Sequence, residues 1–115
     1  MNMDKETQQK IQEIQILEQN LQNILIQKQT FQLELNETVN AAEEVKNTDD
    51  SIYKILGQVM IKGDKEKILK ELEDKKKLFE LRLDALEKQE KLLGNKAKEL
   101  QSEAEKLMKQ PETKK

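Results

Sequence analysis

The sequence predicts a mainly α fold: a long antiparallel two-helix coiled coil with a short β-hairpin between the helices. Three observations carry that prediction. Two segments, one on each side of the middle of the chain, place apolar residues alternately three and four apart, the spacing of a coiled-coil seam. Between them lies Ser51–Gly63, dense in Ile, Val and Tyr and divided by Gly57-Gln58. Composition fits nothing more compact, because 38% of the 115 residues are charged and only 3% are aromatic, with no Trp. That is too few large side chains for an ordinary globular core, but it suits paired helices packed by Leu and Ile. Low hydrophobicity alone would allow disorder, and the regular apolar spacing speaks against it. By length the chain reads as a single domain, residues 1–115. It divides into a helix over about 3–48, a hairpin over about 51–62 and a second helix over about 64–109.

The first helix carries Ile14, Leu17, Leu21, Ile24, Lys28, Phe31, Leu35, Thr38, Ala42 and Val45 on its seam, with Lys28 and Thr38 as polar interruptions. No Gly or Pro precedes Gly57. A continuous helix here extends about 65 Å at 1.5 Å per residue. Ile11, Ile16, Leu25, Ile26, Leu33 and Val39 lie off the seam, available to neighbouring subunits or left exposed. The Gln-rich stretch from Gln8 to Gln32 reads as a solvated face, with a β-aggregation-prone polar tract as the alternative. Asn47-Thr48-Asp49-Asp50-Ser51 is a turn-rich cluster that ends the helix.

In the hairpin, strands are expected at Ile52–Leu56 and Val59–Lys62. A two-residue loop with Gly first suits a type II′ turn, whose first central position needs φ > 0. Side chains alternate along a strand, so Ile52 and Leu56 oppose Tyr53 and Ile55, and Val59 and Ile61 oppose Met60. Both faces are therefore apolar. A lone two-stranded hairpin is marginal in water, and its open edges invite further strands. The reading is an oligomerisation element comprising Ile52, Tyr53, Ile55, Leu56, Gly57, Val59, Met60 and Ile61. The alternative is a hairpin folded back on its own helices.

Gly63-Asp64 breaks the second strand, and Asp64 is a good N-cap. The helix it opens repeats the seam at Leu69, Leu72, Lys76, Phe79, Leu83, Leu86, Glu90, Leu93, Ala97, Leu100, Ala104 and Leu107, and Pro111 stops it. Its outer face sets acids four residues before bases, as in Glu66/Lys70 and Glu87/Lys91, each pair contributing roughly 0.2–0.5 kcal/mol. Gly94 is a weak point, costing about 1 kcal/mol relative to Ala. Aligning Val45 with Leu69 sets Phe31 beside Leu83 and Ile14 beside Leu100. Lys28 then falls between Leu86 and Glu90, where a Lys28–Glu90 polar layer would fix register.

Several functions have no residues to support them. The 21 basic and 23 acidic residues give a net charge of −2 and are thoroughly mixed, so neither a nucleic-acid footprint nor a membrane patch is present. No apolar run of about 18 residues marks a membrane span, and the N-terminus lacks a signal-peptide core. Without Cys the chain needs no oxidising compartment, and a cytoplasmic location is the expectation. With neither His nor Cys, the usual nucleophile–base pairs and transition-metal sites are excluded. The scattered glycines form no phosphate-cradling loop. The carboxylates sit on exposed helix faces with no cleft to tune them. The chain is expected to be no enzyme and to need no cofactor.

Long helices around Tyr53-Lys54-Ile55-Leu56-Gly57, followed by Val59-Met60-Ile61, with Leu83 and Leu86-Glu87-Lys88-Gln89 in the second helix, resemble the β-type subunits of the prefoldin family. The resemblance covers the chain from about Gln9 to Met108. A single hairpin is similar to the β type, and the length without a long tail is similar to archaeal members. The resemblance implies a hexamer of four β-type and two α-type subunits, with hairpins joined into an intersubunit β-barrel from which the coiled coils hang. It also implies an ATP-independent holdase that captures unfolded proteins at the coiled-coil tips and passes them to a group II chaperonin. The register brings Met1, Met3, Ile11, Ile14, Leu100, Ala104, Leu107 and Met108 to the tip, where they are expected to be incompletely covered and to form the client-binding site. Flexible, polarisable Met suits a surface that accepts many partners. The plainer reading makes Ile14, Leu100 and Leu107 ordinary seam residues. The competing function is a structural coiled-coil adaptor or tether binding one folded partner, which needs neither an oligomerising hairpin nor exposed tips.

Overall fold

The computed structural model describes residues 4–109. Its elements in order are α1 (Lys5–Asn47), β1 (Tyr53–Leu56), β2 (Val59–Lys62) and α2 (Lys65–Lys109), two long helices separated by a two-stranded antiparallel sheet. Helix α1 opens on a cap that the sequence reading did not single out. The Asp4 carboxylate accepts a hydrogen bond from the Thr7 backbone N–H at 2.7 Å, and the Asp4 carbonyl takes the Gln8 N–H at 3.1 Å. Thr7 bonds to that carboxylate through both its side chain and its backbone, holding its pKa below the ordinary carboxylate value. These bonds satisfy donors that a helix start otherwise leaves orphaned.

At the other end of α1, the Lys65 ammonium donates to the carbonyls of Lys46 (3.2 Å) and Thr48 (3.1 Å). A cation at a helix C-terminus both satisfies orphan acceptors and complements the macrodipole. Helix α2 starts as expected at Asp64, whose carboxylate accepts from the Glu66 N–H at 3.2 Å and whose carbonyl accepts from the Ile68 N–H at 2.9 Å. Just before it, a β-carbon at Gly63 would meet the end of the Ile68 side chain, which would have to shift to admit it.

The hairpin register pairs Tyr53 with Lys62, Lys54 with Ile61, Ile55 with Met60 and Leu56 with Val59, leaving Gly57-Gln58 as the loop. Gly57 has φ +61° and no other described residue is left-handed, which fits the type II′ turn and excludes type I′. Strand β1 begins at Tyr53, one residue later than expected. Ile52 still joins the ladder through its carbonyl, which accepts the Gly63 N–H at 2.8 Å.

By contacts the chain divides into two compact units, Met1–Gln27 with Leu86–Lys115, and Lys28–Ala85. In the first, Ile14, Leu17, Leu100 and Ala104 form a buried cluster against which Leu93 and Ala97 pack. Ile24 and Leu86 are also buried. In the second, the Phe31 and Phe79 rings lie 6.0 Å apart and tilted by 36°, with the Arg82 guanidinium 5.4 Å from the Phe31 centroid. Such ring and cation contacts each contribute on the order of 0.5–1 kcal/mol beyond simple burial.

Every seam position read from the sequence is buried or half-buried, whereas Ile16, Leu25, Ile26 and Leu33 are exposed. Thr38 shows how a polar seam residue is tolerated. It is buried, and its hydroxyl donates to the Glu34 carbonyl one turn back at 2.7 Å. The hydroxyl stays satisfied, and its methyl is left to pack.

Candidate functional site: the hairpin and the helix ends

Local sequence builds the hairpin. β-branched and aromatic residues favour an extended, half-covered surface, and Gly57 reverses the chain. The register places Tyr53, Ile55, Met60 and Lys62 on one face and Lys54, Leu56, Val59 and Ile61 on the other. Within the chain alone, Tyr53, Ile55, Leu56, Val59, Met60 and Ile61 are all exposed, from 47% for Ile61 to 67% for Ile55 and Met60. Ile52 is half-buried and Gly57 exposed.

One face is tethered. The Lys54 ammonium, on the Leu56–Val59–Ile61 face, lies 2.8 Å from a Glu71 carboxylate oxygen on α2. The Lys54 hydrogen bond, then its charge, holds the Glu71 pKa below the usual carboxylate value. Both partners are well exposed, so solvent screens the pair, which orients the hairpin more than it stabilises the chain.

At the helix ends the structure corrects one expectation. Ile14, Leu100 and Ala104 were expected to be incompletely covered, but they are core residues at 8%, 8% and 5% exposure. The small Ala97 and Ala104 leave space that Ile14, Leu17 and Leu100 fill. Ile11 and Leu107 are half-buried, and Met108 is exposed. Met1 and Met3 lie outside the described residues.

Sequence reading also missed two residues here. Thr7 is buried, and the Lys10 ammonium bonds Glu103 across the helices at 2.7 Å. That hydrogen bond leads the causes that raise the Lys10 pKa above its ordinary value. A signal was available: the three–four spacing carried backward from Ile14 lands on Lys10 and then Thr7. Lys65 left no such signal, because its carbonyl partners come from a chain reversal that spacing does not describe.

Among the described residues no cluster of His, Cys, Asp or Glu is placed to hold a metal ion, and no helix is long and apolar enough to cross a membrane. Among the described residues, the hairpin exposes apolar side chains on both faces and Met108 is exposed near the end of α2.

Residues 8–111 match the family model described as prefoldin subunit. The prefoldin subunit beta of Thermococcus onnurineus is 42% identical over 101 residues, covering 86% of this chain and 87% of that one. That of Pyrococcus furiosus is 38% identical over 112 residues, covering 96% of both. Among solved structures, the prefoldin beta subunit from Thermococcus strain KS-1 superposes with a TM-score of 0.87 at 36% identity, covering 96% of this chain and 98% of that one.

Proposed function

The chain belongs to the prefoldin family, as a subunit of the archaeal β type, and from that premise we propose how it works as a chaperone subunit. The family is one of chaperones and not of enzymes. In our reading the hairpin joins those of an α-type subunit and of further copies of this chain, closing a β-barrel in a hexamer of four β-type and two α-type subunits. The whole chain acts as one domain, in the cytoplasm. Unfolded clients are held at the helix ends without ATP and passed to a group II chaperonin.

One observation carries the assembly reading. A two-stranded sheet exposes large apolar side chains on both faces, and such a sheet gains stability only when further strands and a covering surface are added. At the helix ends, Met108 with Ile11, Leu107, Met1 and Met3 meets the client first. Ile14, Leu100 and Ala104 become available as the end of the seam opens, since terminal turns separate at little cost.

Native mass measurement of the chain, alone and mixed with an α-type prefoldin subunit, tests the assembly. A mixed species of four plus two is expected. A monomer or simple dimer under both conditions would return the chain to the adaptor reading. Removing residues 1–8 and 107–115 together should abolish suppression of client aggregation while the mixed species persists. Full suppression by that truncated form would move the client site elsewhere.

A further inference from the structure

Met60 and Met108 both present exposed side chains, at 67% and 57%. Their surroundings differ. Met60 sits in β2 directly opposite Ile55, one pair away from the Leu56–Val59 pair that closes the turn. Met60 shares its face with Ile55 and Tyr53, while Lys54, on the other face, is tied to Glu71. Ile55 and Met60 are the two most exposed large apolar side chains of the hairpin. The Met60 side chain is thus open to solvent in the chain by itself, on a strand face it shares with Ile55 and Tyr53.

We propose that Met60 is an oxidation site that gates assembly, with a hydroperoxide as the oxidant. This rests on the reading of the hairpin as the assembly element. A sulfur lone pair attacks the distal oxygen of the peroxide. The O–O bond breaks, an S–O bond forms, and the departing alkoxide, or hydroxide when the oxidant is hydrogen peroxide, takes up the proton of the transferred oxygen to leave as alcohol or water. Sulfur is oxidised by two electrons and the peroxide reduced. The product sulfoxide is polar and chiral, and sulfoxide reductases reverse the change, which makes the site a switch.

The backbone ladder is untouched, because the side chain stands off the sheet. The face is altered, since a sulfoxide oxygen buried against apolar neighbours without a donor loses the solvation it had in water. Accessibility is confined to the unassembled subunit. Once hairpins join, Met60 is covered, so a subunit oxidised before assembly is kept out and one already assembled is protected. Met108, on α2 outside the hairpin, provides a reference for peroxide exposure within the same molecule.

The test treats the full chain with hydrogen peroxide and quenches it. Sulfoxide is located by peptide mass mapping, and native mass is then measured with an α-type subunit. Both Met60 and Met108 should gain oxygen in the free chain, and the mixed species should fall roughly tenfold or more. Met60→Leu, a volume-conserving change, should lose none of its own untreated yield of mixed species after the same treatment, although its Met108 is oxidised. In the preformed complex Met60 should oxidise far more slowly than Met108. Undiminished assembly of the treated wild-type chain overturns the proposal, and so does an equal loss by treated Met60→Leu. Failure of the untreated chain to form a mixed species is a different result. It removes the assembly reading itself, and the gate with it.

Discussion

The two compact units both expose large apolar residues, Ile16 and Leu92 in one and the hairpin in the other, but they differ in how much they bury. The unit of Met1–Gln27 and Leu86–Lys115 buries Ile14, Leu17, Ile24, Leu86, Leu100 and Ala104 within the chain. In the unit of Lys28–Ala85, Thr38 is the one buried position among the described residues, while the hairpin's large apolar side chains, with Leu33, Leu78 and Leu81, are exposed. Residue size accounts for part of the difference. Leu and Ile packed against Ala97 and Ala104 mesh closely, whereas Phe31 and Phe79 meet at a tilt and stay half-buried. Topology accounts for the rest, since two strands cannot cover their own faces. One unit holds a buried apolar cluster of its own; the other carries a two-stranded sheet with both faces open. Client capture at the helix ends, on our proposal, therefore draws on a well-packed seam with exposed residues at its margin.

The contrast is broken most directly at the hairpin. Replacing Ile55 and Met60 together by Asp should abolish the mixed species with an α-type subunit while helical circular dichroism stays at the wild-type level. A parallel loss of helix would mean that the hairpin supports the helices after all. The reciprocal change is Leu100→Ala, which should cost about 2–3 kcal/mol by thermal or denaturant unfolding, because it empties part of a packed cluster. A loss well under 1 kcal/mol would show that the cluster collapses around the deletion and is looser than its burial indicates.

Smaller effects sharpen the comparison. A β-carbon at Gly94 would meet nothing within 4 Å. Gly94→Ala should therefore stabilise by about 1 kcal/mol through helix propensity alone. The smallest effect is electrostatic, and its sign differs between the units. Glu71 has its pKa lowered from 4.5, chiefly by the hydrogen bond from Lys54, so its contribution is fully present above pH 4.5 and is lost as pH falls below that. Lys10 has its pKa raised from 10.5, chiefly by the hydrogen bond to Glu103, so its contribution is fully present below pH 10.5 and is lost as pH rises above that. Glu71→Gln should flatten the acid limb of the stability–pH curve and Lys10→Gln the alkaline limb. Both changes should be small and should vanish in high salt. An unchanged limb in either variant would remove that pair from the account.

Much of the fold was legible from spacing. The seam residues from Ile14 to Val45 and from Leu69 to Leu107 are all buried or half-buried, and Gly57 and Asp64 take the conformations their chemistry favours. Phe31 shows where the reading stopped. The linear alignment placed it beside Leu83, and the structure sets its ring against Phe79 and beneath Arg82. A seam side chain sits between residues a turn apart on the facing helix, so a one-to-one alignment names only part of its surroundings.

The sequence by itself determined what is local and periodic: two helices, a two-residue turn, a seam, and a hairpin with two apolar faces. These follow from backbone sterics and the spacing of side chains, which each stretch of chain carries within itself. Tertiary structure alone decided that Lys65 closes the end of α1, that Lys10 meets Glu103, and that Lys54 ties one hairpin face to Glu71. Burial and long-range ion pairs depend on which atoms arrive from distant parts of the chain, and the residue types alone do not record that.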